Sequence, residues 1–112
     1  MALADFLQEH ADKTAKEVTI ACYGLAFKPD IDDLRESPAM QIVKEIASFH
    51  AGNVIAVEPN IHQLPSSLEQ VELQGFDAAK STADIHVMLV DHKEFKVESI
   101  DSPYLVDTKG IW

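Results

Sequence analysis

A chain of 112 residues is one domain, large enough for a real core and with little room for a second. Its hydrophobic fraction of 46% and charged fraction of 25% are ordinary for a soluble globular protein, and no apolar run approaches the roughly 20 residues of a membrane helix. A net charge of −10, from 19 acidic against 9 basic residues, argues against nucleic acid, whose binders carry a basic face.

Residues 2–17 predict a helix, with Leu3, Phe6, Leu7, His10 and Thr14 near helical spacing. This start has neither the basic n-region nor the apolar h-region of a secretory signal. VTIACY, residues 18–23, predicts a buried strand that Gly24 ends. Its Cys22 is the only cysteine, which excludes an intramolecular disulfide and fits a reducing cytoplasm. Ser37 suits an N-cap and Pro38 the first helical position. Ala39, Ile42, Val43, Ile46 and Ala47 then form one helical stripe, with Gly52 expected to end the helix in the left-handed position.

NVIAV, residues 53–57, predicts a second buried strand, closed by Glu58-Pro59-Asn60. Loop and short helix around Pro65 lead to a weak strand at 71–73 and a short helix at 76–83. IHVMLV, residues 85–90, predicts the strongest strand, followed by Asp91-His92. A short helix within 93–100 and a last strand at 104–106 precede Asp107-Thr108-Lys109-Gly110.

Strands alternating with helices predict an α/β, Rossmann-like three-layer sandwich. Its sheet should be mostly parallel, with five or six strands, because the strands are continuously apolar and so covered on both faces. Ligands of such sheets bind beyond the carboxyl ends of the strands, at the switch in strand order. The polar residues collect there. With strand order 3-2-1-4-5, Lys28 and Asp91-His92 would face one pocket, with Lys109 one strand further along.

The junction GLAFKPDIDDLRESPA, residues 24–39, is the richest part of the chain. It can present cations and backbone N–H groups to an anion. Lys28 is either a cation for a diphosphate oxygen or a solvated loop lysine. Arg35 either binds a phosphate with its planar fork or pairs with Asp32, Asp33 or Glu36. Glu58 is either an acid for a ribose or a plain turn residue. One glycine is not G-x-G-x-x-G, so the dinucleotide fingerprint is missing. Cys22 reads as an inert buried side chain. The five histidines have no metal-ligand spacing, and no nucleophile elbow, P-loop or CxxC pair is present. The residues offer a binding site and neither a catalytic group nor a metal site.

The run GLAFKPDIDDLRESPA closely resembles the signature that opens the C-terminal, UDP-binding domain of the UDP-glucose/GDP-mannose dehydrogenases. VEPNIHQLP, VMLVDHKEF and VDTKGIW resemble its UDP-N-acetyl-D-mannosamine dehydrogenase branch. The resemblance extends from about residue 17 to 112. It implies a UDP-sugar-binding domain, residues 18–112, preceded by a connector helix, residues 1–17, in an enzyme that oxidises a sugar C6 alcohol to a carboxylate. In such enzymes an N-terminal domain holds NAD and a central region carries the catalytic cysteine and the homodimer interface. Cys22 does not match that cysteine, so the chain alone is expected to be inactive. By position, Phe27 and Lys28 match residues that contact the UDP-sugar, and Arg35 matches one that reaches toward NAD on the other domain. Lys109 aligns with a nucleotide contact that is often arginine; lysine keeps the charge and loses the fork. Other expectations left open are a UDP-glucose or related UDP-sugar dehydrogenase domain and a non-catalytic, receiver-like α/β module. The latter would use Asp30, Asp32 and Asp33 beside Asp91 and Lys109.

Overall fold

The computed structural model describes residues 17–26, 37–50, 52–59, 61, 63–64, 68, 70–96, 100 and 105–107. Five strands and three helices alternate along these residues: β1 (Ile20–Tyr23), α1 (Pro38–Phe49), β2 (Val54–Val57), β3 (Val71–Leu73), α2 (Phe76–Thr82), β4 (Ile85–Met88), α3 (Lys93–Lys96) and β5 (Leu105–Asp107). The helix expected over 2–17 lies almost wholly outside them.

The sheet order is β3-β2-β1-β4-β5, and all four pairings are parallel. Ile20 pairs with Val54 on one side and Ile85 on the other, so β1 is the central strand. This is the expected Rossmann-like order, whereas a receiver sheet runs 2-1-3-4-5. The topology therefore removes the receiver-like alternative.

Two cores explain why the strands carry no polar face. On one side α1 lays Ala39, Met40 and Val43 over Ile20, Cys22, Val54 and Ala56. On the other, Ala79 of α2 and Phe95 of α3 pack on Ala21, Tyr23, Ile55, Val57 and Met88. The inner strands β1, β2 and β4 alternate between two apolar layers, which gives their continuous hydrophobic runs.

The start of α1 follows the sequence expectation. Ser37 is the N-cap, its hydroxyl accepting from the Met40 N–H at 3.3 Å, and Pro38 occupies the first turn. Its end does not. His50, not a glycine, caps the helix in an extended conformation, with its N–H bonded to the Ile46 carbonyl. The buried His50 ring then donates from Nε2 to the Val18 carbonyl at 2.7 Å, so a tertiary bond sets the stop that Gly52 was expected to provide.

β4 also ends two residues early. The Leu89 and Val90 N–H groups both turn onto the Tyr23 carbonyl, at 2.9 and 3.2 Å, which breaks the ladder. β5 runs to Asp107, one residue past the expected end at 106.

Candidate functional site at the carboxyl end of the central strand

Gly24 leaves β1 with φ at +99°, a conformation open to glycine and strained for other residues. The turn is also tight. A Cβ on Gly24 would lie 2.6 Å from Val90 Cβ and 2.9 Å from Val90 N. The chain ends β1 between its two neighbours: the Gly24 N–H donates to the Val57 carbonyl of β2 at 2.8 Å, while Tyr23 accepts from the residues after β4.

The next two amides meet a side chain. The Leu25 and Ala26 N–H groups both donate to Glu58 Oε1, at 2.9 and 3.0 Å. His92 Nε2 donates to the same oxygen at 2.7 Å, and both side chains are fully buried. A buried carboxylate is tolerated where several donors converge on it. The strand order supplies the convergence, because β2 ends in Glu58 and β4 leads to His92 on either side of β1. Ser37 closes the same turn from the far end, donating from its hydroxyl to the Leu25 carbonyl at 2.7 Å. The described residues on either side of 27–36 are therefore tied together, with Glu58 on the Leu25 and Ala26 amides and Ser37 on the Leu25 carbonyl.

This arrangement changes three readings. The backbone donors from Gly24 to Ala26 are used inside the protein, so an anion at this junction must be held by other groups. Glu58 is neither a ribose acid nor a plain turn residue, since its carboxylate is buried under β1's turn. Nor do Asp91 and His92 share a pocket. His92 points inward at Glu58, and Asp91 sits at the surface with Lys96 Nζ at 3.9 Å, a partly solvated pair of little energetic weight. Sequence reasoning missed the pairing although its parts were legible: an acid ending one neighbour of the central strand and a histidine following the other.

Phe27, Lys28, Arg35 and Lys109 lie outside the described residues, as do Asp30, Asp32 and Asp33. A pocket of about 380 Å³ opens at the ends of β2 and β3, bounded by Glu58, Pro59, Gln74, Gly75, Phe76 and Phe95. It lies to the β2 side of the junction, and among the described residues its walls carry no cation. Among the described residues no group of three His, Cys, Asp or Glu could hold a metal ion, and no helix is long and apolar enough to cross a membrane.

Tyr23 and His86 form a second buried polar pair among the described residues, Tyr23 Oη to His86 Nδ1 at 2.8 Å. Burial pushes the Tyr23 hydroxyl above its usual range and lowers His86. Both shifts favour a phenol that donates to a neutral imidazole. Burial pushes the Cys22 thiol up to about 12. A disulfide reagent such as DTNB at pH 8 should therefore leave Cys22 unlabelled in the folded chain and label it stoichiometrically in denaturant. Rapid native labelling would contradict its place in the core.

The sequence pattern of one family matches residues 21–112: the UDP-glucose/GDP-mannose dehydrogenase family, UDP binding domain. The chain belongs to this family. It is 55% identical to the UDP-N-acetyl-D-mannosamine dehydrogenase of Escherichia coli K12 over 115 aligned positions, covering 99% of this chain and 27% of that protein. It is 48% identical over 107 positions to the NDP-N-acetyl-D-galactosaminuronic acid dehydrogenase of Ralstonia solanacearum, covering 93% and 25%. The solved UDP-D-ManNAc dehydrogenase of Pyrococcus horikoshii superposes with a TM-score of 0.69 at 27% identity, covering 99% of this chain and 26% of that one. The chain thus spans about a quarter of the relatives it matches. The family match covers the β1 turn, the Glu58–His92 pair and the described strands except for Ile20, the first residue of β1.

Proposed function

We propose that this chain is the UDP-sugar-binding domain of an NAD-dependent UDP-N-acetyl-D-mannosamine dehydrogenase, which converts the C6 alcohol of the sugar to a carboxylate for surface polysaccharide synthesis. The observation that carries the reading is the match across residues 21–112 to a UDP-binding domain, joined to 55% identity with an enzyme of that name. Residues 18–112 form the binding domain and residues 1–17 the connector to a central region. Phe27 and Lys28 hold the UDP-sugar where segment 27–36 leaves its clamp. Lys109, two residues beyond β5, adds a second cation, and in a chain of net charge −10 such placed cations are what reverses the local field.

The described residues do not fit NAD. A Rossmann dinucleotide site needs free amides at the β1 turn and a ribose acid after β2, and here the acid occupies the amides. NAD use is accordingly assigned to an N-terminal domain outside this chain, with Arg35 reaching toward it. The catalytic cysteine and the homodimer contacts belong to the central region. Cytoplasmic placement agrees with the single buried cysteine.

The test is kinetic, in the intact enzyme that carries this domain. Lys28→Ala should raise KM for the UDP-sugar and leave KM for NAD near its starting value, and Arg35→Ala should do the reverse. The 112-residue chain with both substrates should form no NADH. Turnover by the chain alone, or a KM for the sugar untouched by Lys28→Ala, would contradict the assignment.

A further inference from the structure

We propose that Glu58 and His92 are positioning residues for nucleotide binding. Together they supply the β1 turn with an anion of its own, which holds the Leu25 and Ala26 amides just before Phe27-Lys28 in the chain and closes the turn to a dinucleotide pyrophosphate. The inference rests on the reading above that Phe27 and Lys28 contact the UDP-sugar.

Three donors converge on one carboxylate oxygen: Leu25 N–H at 2.9 Å, Ala26 N–H at 3.0 Å and His92 Nε2 at 2.7 Å. Hydrogen bonds to an ionised acceptor are about twice as strong as neutral ones, and full burial of both side chains removes the competing water. Phe27 follows Ala26 directly. Fixing the Ala26 amide therefore fixes the residue from which Phe27 and Lys28 continue. Ser37 Oγ, bonded to the Leu25 carbonyl, adds a second hold on the same residue. Phe95 lies against the His92 ring at 5.5 Å and blocks its retreat from Glu58.

The clamp also acts as a specificity device. In a dinucleotide site the turn amides receive pyrophosphate oxygens. Here a phosphate would have to displace a buried carboxylate from the amides and would then face its negative charge. The domain can accept a diphosphate only from side chains further along the loop, which selects a UDP held by Lys28 over a dinucleotide seated on the turn.

The experiment uses the ¹⁵N-labelled 112-residue chain, reading amide exchange and UDP-dependent shifts by NMR. In the unmodified chain the Leu25 and Ala26 amides should exchange slowly and stay in place on adding NAD, while UDP gives a saturable shift. Glu58→Ala should lose protection at Leu25 and Ala26, keep it at Ile20–Cys22, and bind UDP about 10- to 100-fold more weakly, the cost of a small misplacement of a binding group. Glu58→Gln keeps an acceptor oxygen and the side-chain shape, so it serves if Glu58→Ala fails to fold, and should weaken UDP less. His92→Phe should loosen the two amides, and His92→Gln, which restores a donor, should recover part of the protection. Wild-type UDP affinity in a Glu58→Ala chain that is folded would overturn the positioning role, and so would unchanged protection of Leu25 and Ala26. Lys28→Ala separates the two claims. If it weakens UDP while Glu58→Ala does not, the positioning inference alone falls. If Lys28→Ala binds normally, or the unmodified chain shows no UDP-dependent shift, the assignment of the site falls and takes the positioning role with it.

Discussion

Replacing Gly24 with alanine should destabilise the domain by about 3–5 kcal/mol, the sum of a left-handed backbone strain and a steric overlap. The first contribution follows from φ at +99°. The second follows from the 2.6 Å and 2.9 Å approaches of the added Cβ to Val90 Cβ and N. Val90 has no easy retreat, because its N–H is bonded to the Tyr23 carbonyl at 3.2 Å and its side chain is in the core. A domain of this size has roughly 5–15 kcal/mol in total, so the variant should lose a large share of it. Urea unfolding followed by circular dichroism reads the effect as a fall in the midpoint. A loss below about 1 kcal/mol would mean that the turn does not hold glycine's conformation and that the clamp beyond it is misdrawn.

Phe95→Ala should cost about 3–5 kcal/mol, the usual range for emptying a buried phenylalanine site. Helix α3 has only four residues, and its own hydrogen bonds cannot hold it in place. Its position comes from Phe95, almost fully buried, with its ring edge-on to Tyr23 at 6.0 Å and tilted against Phe76 at 6.0 Å. The same ring supports His92. The variant should therefore lower stability and also loosen the amides of Leu25 and Ala26. Phe95→Leu, which refills most of the space, should restore the larger part of the stability. Near-wild-type unfolding of Phe95→Ala would show that this second core is not what seats α3.

The parts of the fold that local chemistry decides were legible in the sequence. Ser37 and Pro38 start α1 as their capping geometry requires, and the apolar runs at β1, β2 and β4 gave a doubly covered parallel sheet with β1 at its centre. What was not legible depends on partners distant in sequence. Gly52 looked like the stop of α1 until the His50 ring found the Val18 carbonyl, 32 residues away. IHVMLV looked like six residues of strand, and Tyr23 draws the last two off the ladder. Glu58 shows the limit most clearly. An acid after the second strand of such a sheet suggests a ribose, and only the convergence of three chain segments shows it serving the turn instead. Of the residues that the resemblance marks for ligand, Phe27 lies one step beyond the clamp and Lys28 two, so the base of the site is described by structure and its tip by sequence.

We propose that the junction after β1 binds the UDP part of a nucleotide sugar through Lys28. Calorimetric titration of UDP into the 112-residue chain and into Lys28→Ala tests it most directly. Saturable binding that weakens about 10- to 100-fold in Lys28→Ala is the expected result, the range for a charge-assisted contact of roughly 1.5–3 kcal/mol. Saturable binding that Lys28→Ala leaves unchanged, or the absence of binding at millimolar UDP, would contradict it.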